Sequence, residues 1–295
     1  MLSLKARAML AQRSLGMVFD IDGTLSPIAP TPDEARLYPG VVAILEQLRE
    51  RAHIAILTGR EIENGAKMIH LEGLTYVGTH GLEWSEGLPQ SHGITLAPDI
   101  AEYIEPARAI LRLAEMQLAQ EPGILIEYKH IGGAVHYRLA PNPDEARQKI
   151  VALLEAPAAA AHISLHDDKF TVDVRVPSTR NKGQALKQLA RDWDVQAILF
   201  GGDSKTDLDA FLALDQLQQE GKVALGIVVQ HIDTAPELLE QADIIVQGVE
   251  GMVRFLQECA VFFGMCLFSA VSYLQVVKKL SSESTLLLQK GEQWH

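Results

Sequence analysis

Two cysteines, Cys259 and Cys266, are all that the 295-residue chain carries. They stand near the C-terminus and form no C-x-x-C pair, which excludes a disulfide framework and a paired-cysteine zinc site. No Asn-x-Ser/Thr sequon occurs. Positive charge is scarce: 26 Lys and Arg stand against 38 Asp and Glu, for a formal net charge of −12. No basic stripe stands out, so a nucleic-acid partner is not expected. The opening stretch, MLSLKARAMLAQRSLG, is broken by Lys5, Arg7 and Arg13 and lacks the apolar core of a secretory signal. Together these absences point to a reducing, cytoplasmic setting. There is no internal repeat and no long low-complexity run; Ala158–Ala161 reads as a loop or a helix end.

Apolar residues are plentiful at 47%, enough for a sizeable core in one large domain or two smaller ones. One apolar run stands apart. Cys259–Val277 carries no charge and is followed by Lys278 and Lys279, a length that can span a bilayer. Three readings compete for it: a C-terminal membrane anchor, a helix packed on this protein or a partner, and an appended tail unrelated to function. Tyr273, Gln275 and the two serines in the run weigh against the anchor.

The rest alternates in a regular way. GMVFD (Gly16–Asp20), HIAILTGR (His53–Arg60) and TYVGTHG (Thr75–Gly81) read as strands ending in turns, with helical patterns between them. That order predicts an α/β fold, a parallel sheet with helices on both faces. The middle changes period. A long helix is expected over Asp99–Gln120, then ILIEYK and AVHYRL around Gly132-Gly133, a helix over Asp144–Leu154, and the strands HISLH and KFTVDVRV flanking a hairpin turn at Asp167-Asp168. Strict polar–apolar alternation there suits an antiparallel sheet with one open face. The strand–helix order returns at Lys182, with QAILFGGD, VALGIVV and ADIIVQ as buried strands. The expected organisation is a discontinuous core over 14–83 and 176–257, an inserted α+β cap over 84–175, and a tail over 258–295.

Carboxylates fall at the ends of these strands. Asp20 ends one and Asp203 another, while Thr58 ends a third; ligand sites in open parallel sheets form beyond such ends. Asp22 follows Asp20 across a turn that Gly23 permits. Carboxylates gathered at one point need a cation, and oxygen donors suit Mg²⁺. Asp20, Asp22, Asp203 and Asp207 are the candidate ligands. In this reading Asp20 attacks phosphorus and Asp22 serves as general acid and then base. Thr58 hydrogen-bonds the phosphate, and Lys182, opening a helix after Asn181, neutralises it. Each feature alone has an ordinary explanation. Asp20 and Asp22 could form a turn and helix cap, Thr58-Gly59 a strand-to-helix turn, Lys182 a solvated helix residue, and Asp207 a dipole-favoured first turn. It is their occurrence together that argues for chemistry.

DIDGT after an apolar strand, LTGR, NKG and GDSKTDLDAF occur in the order of the haloacid-dehalogenase-like phosphatases, which the chain resembles. The inserted module resembles the larger cap of that superfamily's sugar-phosphatase branch. A hairpin turning at Gly132-Gly133 would pair Lys129 with His136 and Glu127 with Arg138, with all four on one face. With EYK, HYR, THGLE and VDVRV, the segment Leu15–Leu256 closely resembles the trehalose-6-phosphate phosphatases. The resemblance implies a Mg²⁺-dependent hydrolase acting on a small sugar phosphate in trehalose biosynthesis, with Thr58, Gly59 and Lys182 on the phosphate. It implies Arg60, His80, Glu127, Lys129 and Arg138 against the substrate, with His80-Gly81 near the core–cap junction. Alternatives are another sugar phosphate, such as sucrose 6-phosphate or a glycosyl-glycerate phosphate, and a non-catalytic binding protein. Ser204 departs from the pattern, since the family often has a second aspartate there.

Overall fold

The computed structural model describes residues 2–29, 34–168 and 170–264. Its strands in chain order are β1 (Leu15–Phe19), β2 (His53–Leu57), β3 (Thr75–Gly78), β4 (Glu83–Ser85), β5 (Thr95–Leu96), β6 (Leu125–Tyr128), β7 (Gly133–His136), β8 (Ser164–Asp168), β9 (Thr171–Arg175), β10 (Ala197–Gly202), β11 (Val223–Gln230) and β12 (Ile244–Gln247). Contacts divide the chain into two compact units. One comprises the residues up to Ile54 together with those from Lys187 on, and the other Ala55–Leu186.

In the first unit, β1, β10, β11 and β12 form an all-parallel sheet. Met17 lies opposite Leu199, Leu199 opposite Leu225, and Ile227 opposite Ile244. Every residue of β1 and β10 is buried. Parallel strands covered on both faces have no solvent side, which is why LGMVF and AILFGG read as continuous rather than alternating apolar runs. Helix Leu208–Gln219 packs on this sheet, with the Phe211 ring meeting Phe200 edge-on at 5.4 Å.

This unit also contains the described start of the apolar C-terminal run. Residues 248–264 are helical, Cys259 and Phe263 are buried, and the Arg51 guanidinium lies 5.7 Å from the centre of the Phe263 ring. Burial pushes the Cys259 thiol up, away from thiolate character. The run thus begins as a helix packed on the protein. The rest of Cys259–Val277 lies outside the described residues, and among those described no helix is long and apolar enough to cross a membrane.

In the second unit, β2 pairs parallel with β3, and the pairing continues antiparallel through β4 and β5 as far as Leu96. Then comes an antiparallel sheet in the order β6-β7-β9-β8. Its apolar face, with Val135, Val172 and Val174, packs on helices Ala101–Leu118 and Pro143–Ala160 through Leu111, Ile150 and Leu154. The other face is polar, as the alternation predicts.

Three details depart from expectation. The β6–β7 register places Glu127 opposite Ala134 and Leu125 opposite His136, four residues away from the pairing of Glu127 with Arg138. The turn spans Lys129–Gly132, closed by Lys129 N–H donating to Gly132 O at 3.2 Å, with Gly132 at φ +77°. Gly133 is a strand residue rather than half of a two-residue loop. Because the slip is even, no side chain changes face. Asp167 and Asp168 belong to β8, opposite Val172 and Thr171, so the turn follows them. The helix expected to stop near Leu154 continues through Pro157 to Ala160, and Ala158 beyond the proline is buried in the core.

Candidate active site

Asp20 stands one residue past the end of β1, and its N–H donates to Gly201 O on neighbouring β10 at 3.0 Å. Parallel pairing of Phe19 with Gly201 therefore brings the residues after both strands side by side. Asp20, Asp203 and Asp207 are all buried, and each offers a carboxylate oxygen within 4.8 Å of the others. Between the strand end and Ser26 the chain folds into a tight turn in which Gly23 N–H donates to Ser26 O at 2.7 Å. Gly23 has φ +76°, and a Cβ there would lie 1.9 Å from Asp203 Oδ2. Glycine is thus required both by the backbone and by the carboxylate occupying the space a side chain would fill.

Asp207 does more than add charge. Its Oδ2 accepts from Asp203 N–H at 3.1 Å, Ser204 N–H at 2.9 Å and Ser204 Oγ at 2.9 Å. This is a capping box across the short helix Lys205–Asp207. Ser204, at the position where a second aspartate was expected from the resemblance, works as the cap that fixes the loop. His231, just beyond β11, faces the same loop: its Nε2 lies 2.7 Å from Gly23 O and 3.9 Å from Asp203 Oδ2. Sequence reasoning missed His231; the available signal was its place at the carboxyl end of a third parallel strand.

Three buried carboxylates with oxygens this close repel one another, and burial removes the water that would screen them. An all-oxygen donor set of this kind fits a hard divalent cation. The trio excludes Asp22, which was expected among the ligands. Asp22 is partly exposed and bridges to Ser26 in the turn.

The second unit holds the other expected residues in two groups. In the first, Thr58 is buried at the end of β2. Its N–H donates to Val77 O at 2.9 Å, its carbonyl accepts from His80 N–H at 3.0 Å, and its Oγ1 accepts from Arg60 N–H at 3.2 Å. Thr79 N–H returns to Arg60 O at 2.8 Å. The loops Thr58–Arg60 and Thr79–Gly81 are therefore laced together. A Cβ at Gly59 would lie 2.6 Å from His80 Cε1, so the imidazole lies on bare backbone. His80 takes φ +57° and Thr79 φ +45°, two consecutive left-handed residues that only surrounding contacts can hold. Lys182, expected to be solvated if it were an ordinary helix residue, is 1% exposed. It opens helix Lys182–Asp192, with Asn181 Oδ1 accepting from Gln184 N–H at 2.9 Å as its cap. Burial of a lysine is uncommon without a demand for its charge.

The second group lies on the polar face of the antiparallel sheet. Lys129 Nζ is 3.8 Å from Glu127 Oε2 and 4.0 Å from Asp173 Oδ1. Glu127 Oε2 also meets His136 Nε2 at 2.9 Å, and His136 Nδ1 meets Thr171 Oγ1 at 3.1 Å. Asp173, opposite Ala134, was missed, although the VDVRV segment containing it was noticed. Arg138 is set apart from Glu127. Its guanidinium lies 5.7 Å from the centre of the Phe170 ring, beside a cavity of about 290 Å³ lined also by Leu125, His136 and Thr171.

A family model for trehalose-phosphatase matches residues 18–240. The trehalose-phosphate phosphatase of Mycobacterium bovis (strain BCG / Pasteur 1173P2) is 32% identical over 232 residues, covering 76% of this chain and 56% of that protein. The chain thus spans little more than half the length of that curated relative. The crystal structure of a trehalose-6-phosphate phosphatase related protein aligns with TM-score 0.63 at 23% identity, over 85% of this chain and 99% of the other. The C-terminal domain of the Candida albicans trehalose-6-phosphate phosphatase aligns with TM-score 0.59 at 21% identity, over 86% and 96%. At those identities the structural likeness speaks for the fold; the sequence matches speak for the family.

Proposed function

The chain belongs to the trehalose-phosphatase family, and from that premise we propose that it hydrolyses trehalose 6-phosphate to trehalose and inorganic phosphate, with Asp20 as nucleophile. The observation that carries the proposal is the buried trio of Asp20, Asp203 and Asp207 at the carboxyl ends of β1 and β10.

An Asp20 oxygen attacks phosphorus, the phosphorus–oxygen bond to the sugar breaks, and an aspartyl-phosphate remains. Asp22 gives its proton to the departing sugar oxygen. As a carboxylate it then takes a proton from the water that attacks the same phosphorus, which releases phosphate and restores Asp20. Its place outside the trio suits a group that exchanges protons. Asp20, Asp203 and Asp207 would hold a Mg²⁺ ion, which would supply neutralisation of the carboxylate and phosphate charges when bound. Thr58 and Gly59 donate to phosphate oxygens, and Lys182 offsets their charge. Glu127, Lys129 and Arg138 read the sugar, and Arg60 and His80 line the approach to it.

The test compares wild-type protein with Asp20→Asn. Asparagine keeps the shape and removes the nucleophile, so phosphate release from trehalose 6-phosphate should disappear while a calorimetric titration still detects binding of the sugar phosphate. Turnover by a folded Asp20→Asn protein would refute the assignment.

A further inference from the structure

Glu83 carries a carboxylate with no solvent exposure. Burying such a charge is costly unless donors surround it, and three do. Its Oε2 accepts from Ile62 N–H at 2.8 Å and from Thr79 Oγ1 at 2.8 Å, and its Oε1 lies 2.9 Å from His130 Nδ1. A carboxylate only accepts, so the contact assigns a donor N–H to His130 Nδ1. The first two donors belong to the start of helix Ile62–Ile69 and to the left-handed turn at Thr79. The third comes from the β6–β7 turn, next to Lys129.

His130 is held from other sides as well. Its backbone N–H donates to Glu61 Oε1 at 3.0 Å, and its Nε2 is 3.8 Å from Glu63 Oε1. Glu61 and Glu63 directly follow the Thr58–Arg60 loop. A continuous chain of contacts therefore runs from the hairpin turn through His130 and Glu83 to Thr79, on to Arg60, and through His80 to the backbone of Gly59.

We propose that His130 is a positioning residue: clasped by Glu83 and Glu61, it sets the hairpin that carries Glu127 and Lys129 in one frame with the loop that carries Thr58 and His80. The assignment of sugar to the hairpin and phosphate to the loop rests on the function proposed above. Trehalose 6-phosphate can place its sugar hydroxyls only within a limited span of its phosphate, so two recognition surfaces must keep a matching spacing to bind both at once. Misplacement by about 1 Å can cost roughly a hundredfold in rate or binding. A clasp on a buried carboxylate also tolerates few alternative arrangements, because any slip strands Glu83 without its donors.

The experiment uses the full chain with His130→Ala and His130→Asn, the latter placing an amide N–H where Nδ1 stands. Amide hydrogen exchange is followed at residues 129–133 and 79–83. His130→Ala should speed exchange in both segments by about tenfold or more, because the local opening that exposes them loses a shared restraint. It should also raise KM for trehalose 6-phosphate by roughly tenfold while kcat changes far less, and His130→Asn should restore both. Faster exchange confined to 129–133, with 79–83 unchanged, would overturn the coupling, as would an unchanged KM. If the wild-type protein fails to turn over trehalose 6-phosphate, the substrate reading falls, and the exchange at 79–83 alone decides whether His130 couples the two segments.

Discussion

Gly23 and Asp203 compete for one space: the Cβ that any other residue would place at position 23 falls 1.9 Å from Asp203 Oδ2. The turn after Asp20 and the carboxylate after β10 are therefore built around each other. Gly23→Ala should displace the Asp203 carboxylate and strain a backbone held at φ +76°. The expected cost is about 1–3 kcal/mol in stability and about a hundredfold in turnover, read by denaturant unfolding and by phosphate release. Full activity in Gly23→Ala would mean that the position of Asp203 is not critical.

Asp207 and Ser204 contribute unequally to the cap that fixes the loop after β10. Asp207→Ala strands the N–H groups of Asp203 and Ser204, at an expected cost of about 2–4 kcal/mol. Ser204→Ala removes a single donor to a carboxylate that keeps two others, so about 1 kcal/mol is expected. Urea denaturation of the two variants should rank them in that order, and equal losses would contradict the capping role given to Asp207.

How much of this was legible in advance follows from how local each signal is. Continuous apolar runs announced β1, β10 and β11 because a parallel sheet covered on both faces demands them. Asp20 and Thr58 stand just past strand ends and Lys182 at a helix start, positions that the local pattern of each element already marks. The hairpin register was not legible. Gly132-Gly133 looks like a two-residue turn, yet the loop opens at Lys129 and Gly133 enters the strand; the clasp around His130, assembled from residues 61, 83 and 130, pins that turn. Partners so far apart in sequence leave no periodic trace. His130 carries no local signal for the same reason, acquiring its contacts only from residues brought beside it by the fold.

Tyr137 and Asp167 link the stability of the antiparallel sheet to both ends of the pH scale. The Tyr137 hydroxyl donates to Asp167 Oδ1 at 2.7 Å, and Arg147 also pairs with Asp167. Burial, then the Asp167 carboxylate, push Tyr137 up to about 12 from an ordinary 10.0. A raised tyrosine contributes stability that is complete below pH 10 and lost as pH climbs toward 12. The Tyr137 hydroxyl, then Arg147, hold Asp167 below its ordinary 3.8. That contribution is present above pH 3.8 and lost as the solution becomes more acidic. Tyr137→Phe should cost about 1 kcal/mol near neutrality and weaken both dependences, as measured by unfolding across pH. An unaltered alkaline limb would remove Tyr137 from the account, leaving Tyr76, which burial also pushes up to about 12.

On the polar face, Lys129 lies between Glu127 and Asp173, whereas Arg138 rests on Phe170. If this face reads the sugar, Lys129→Ala and Asp173→Asn should raise KM for trehalose 6-phosphate several-fold with little change in kcat, the signature of lost uniform binding. Arg138→Lys keeps the charge but gives up the planar contact with the ring, so a smaller rise is expected. Equal effects on kcat and kcat/KM would instead place these side chains in the transition state.

The aspartate trio and the polar sheet face are tested together by phosphate release from trehalose 6-phosphate, glucose 6-phosphate and sucrose 6-phosphate, each assayed with Mg²⁺ and with EDTA. Release chiefly from trehalose 6-phosphate, abolished by EDTA and recovered when Mg²⁺ is restored, is the predicted result. Release that persists in EDTA would contradict the role given to Asp20, Asp203 and Asp207, and metal-dependent release chiefly from another sugar phosphate would contradict the substrate.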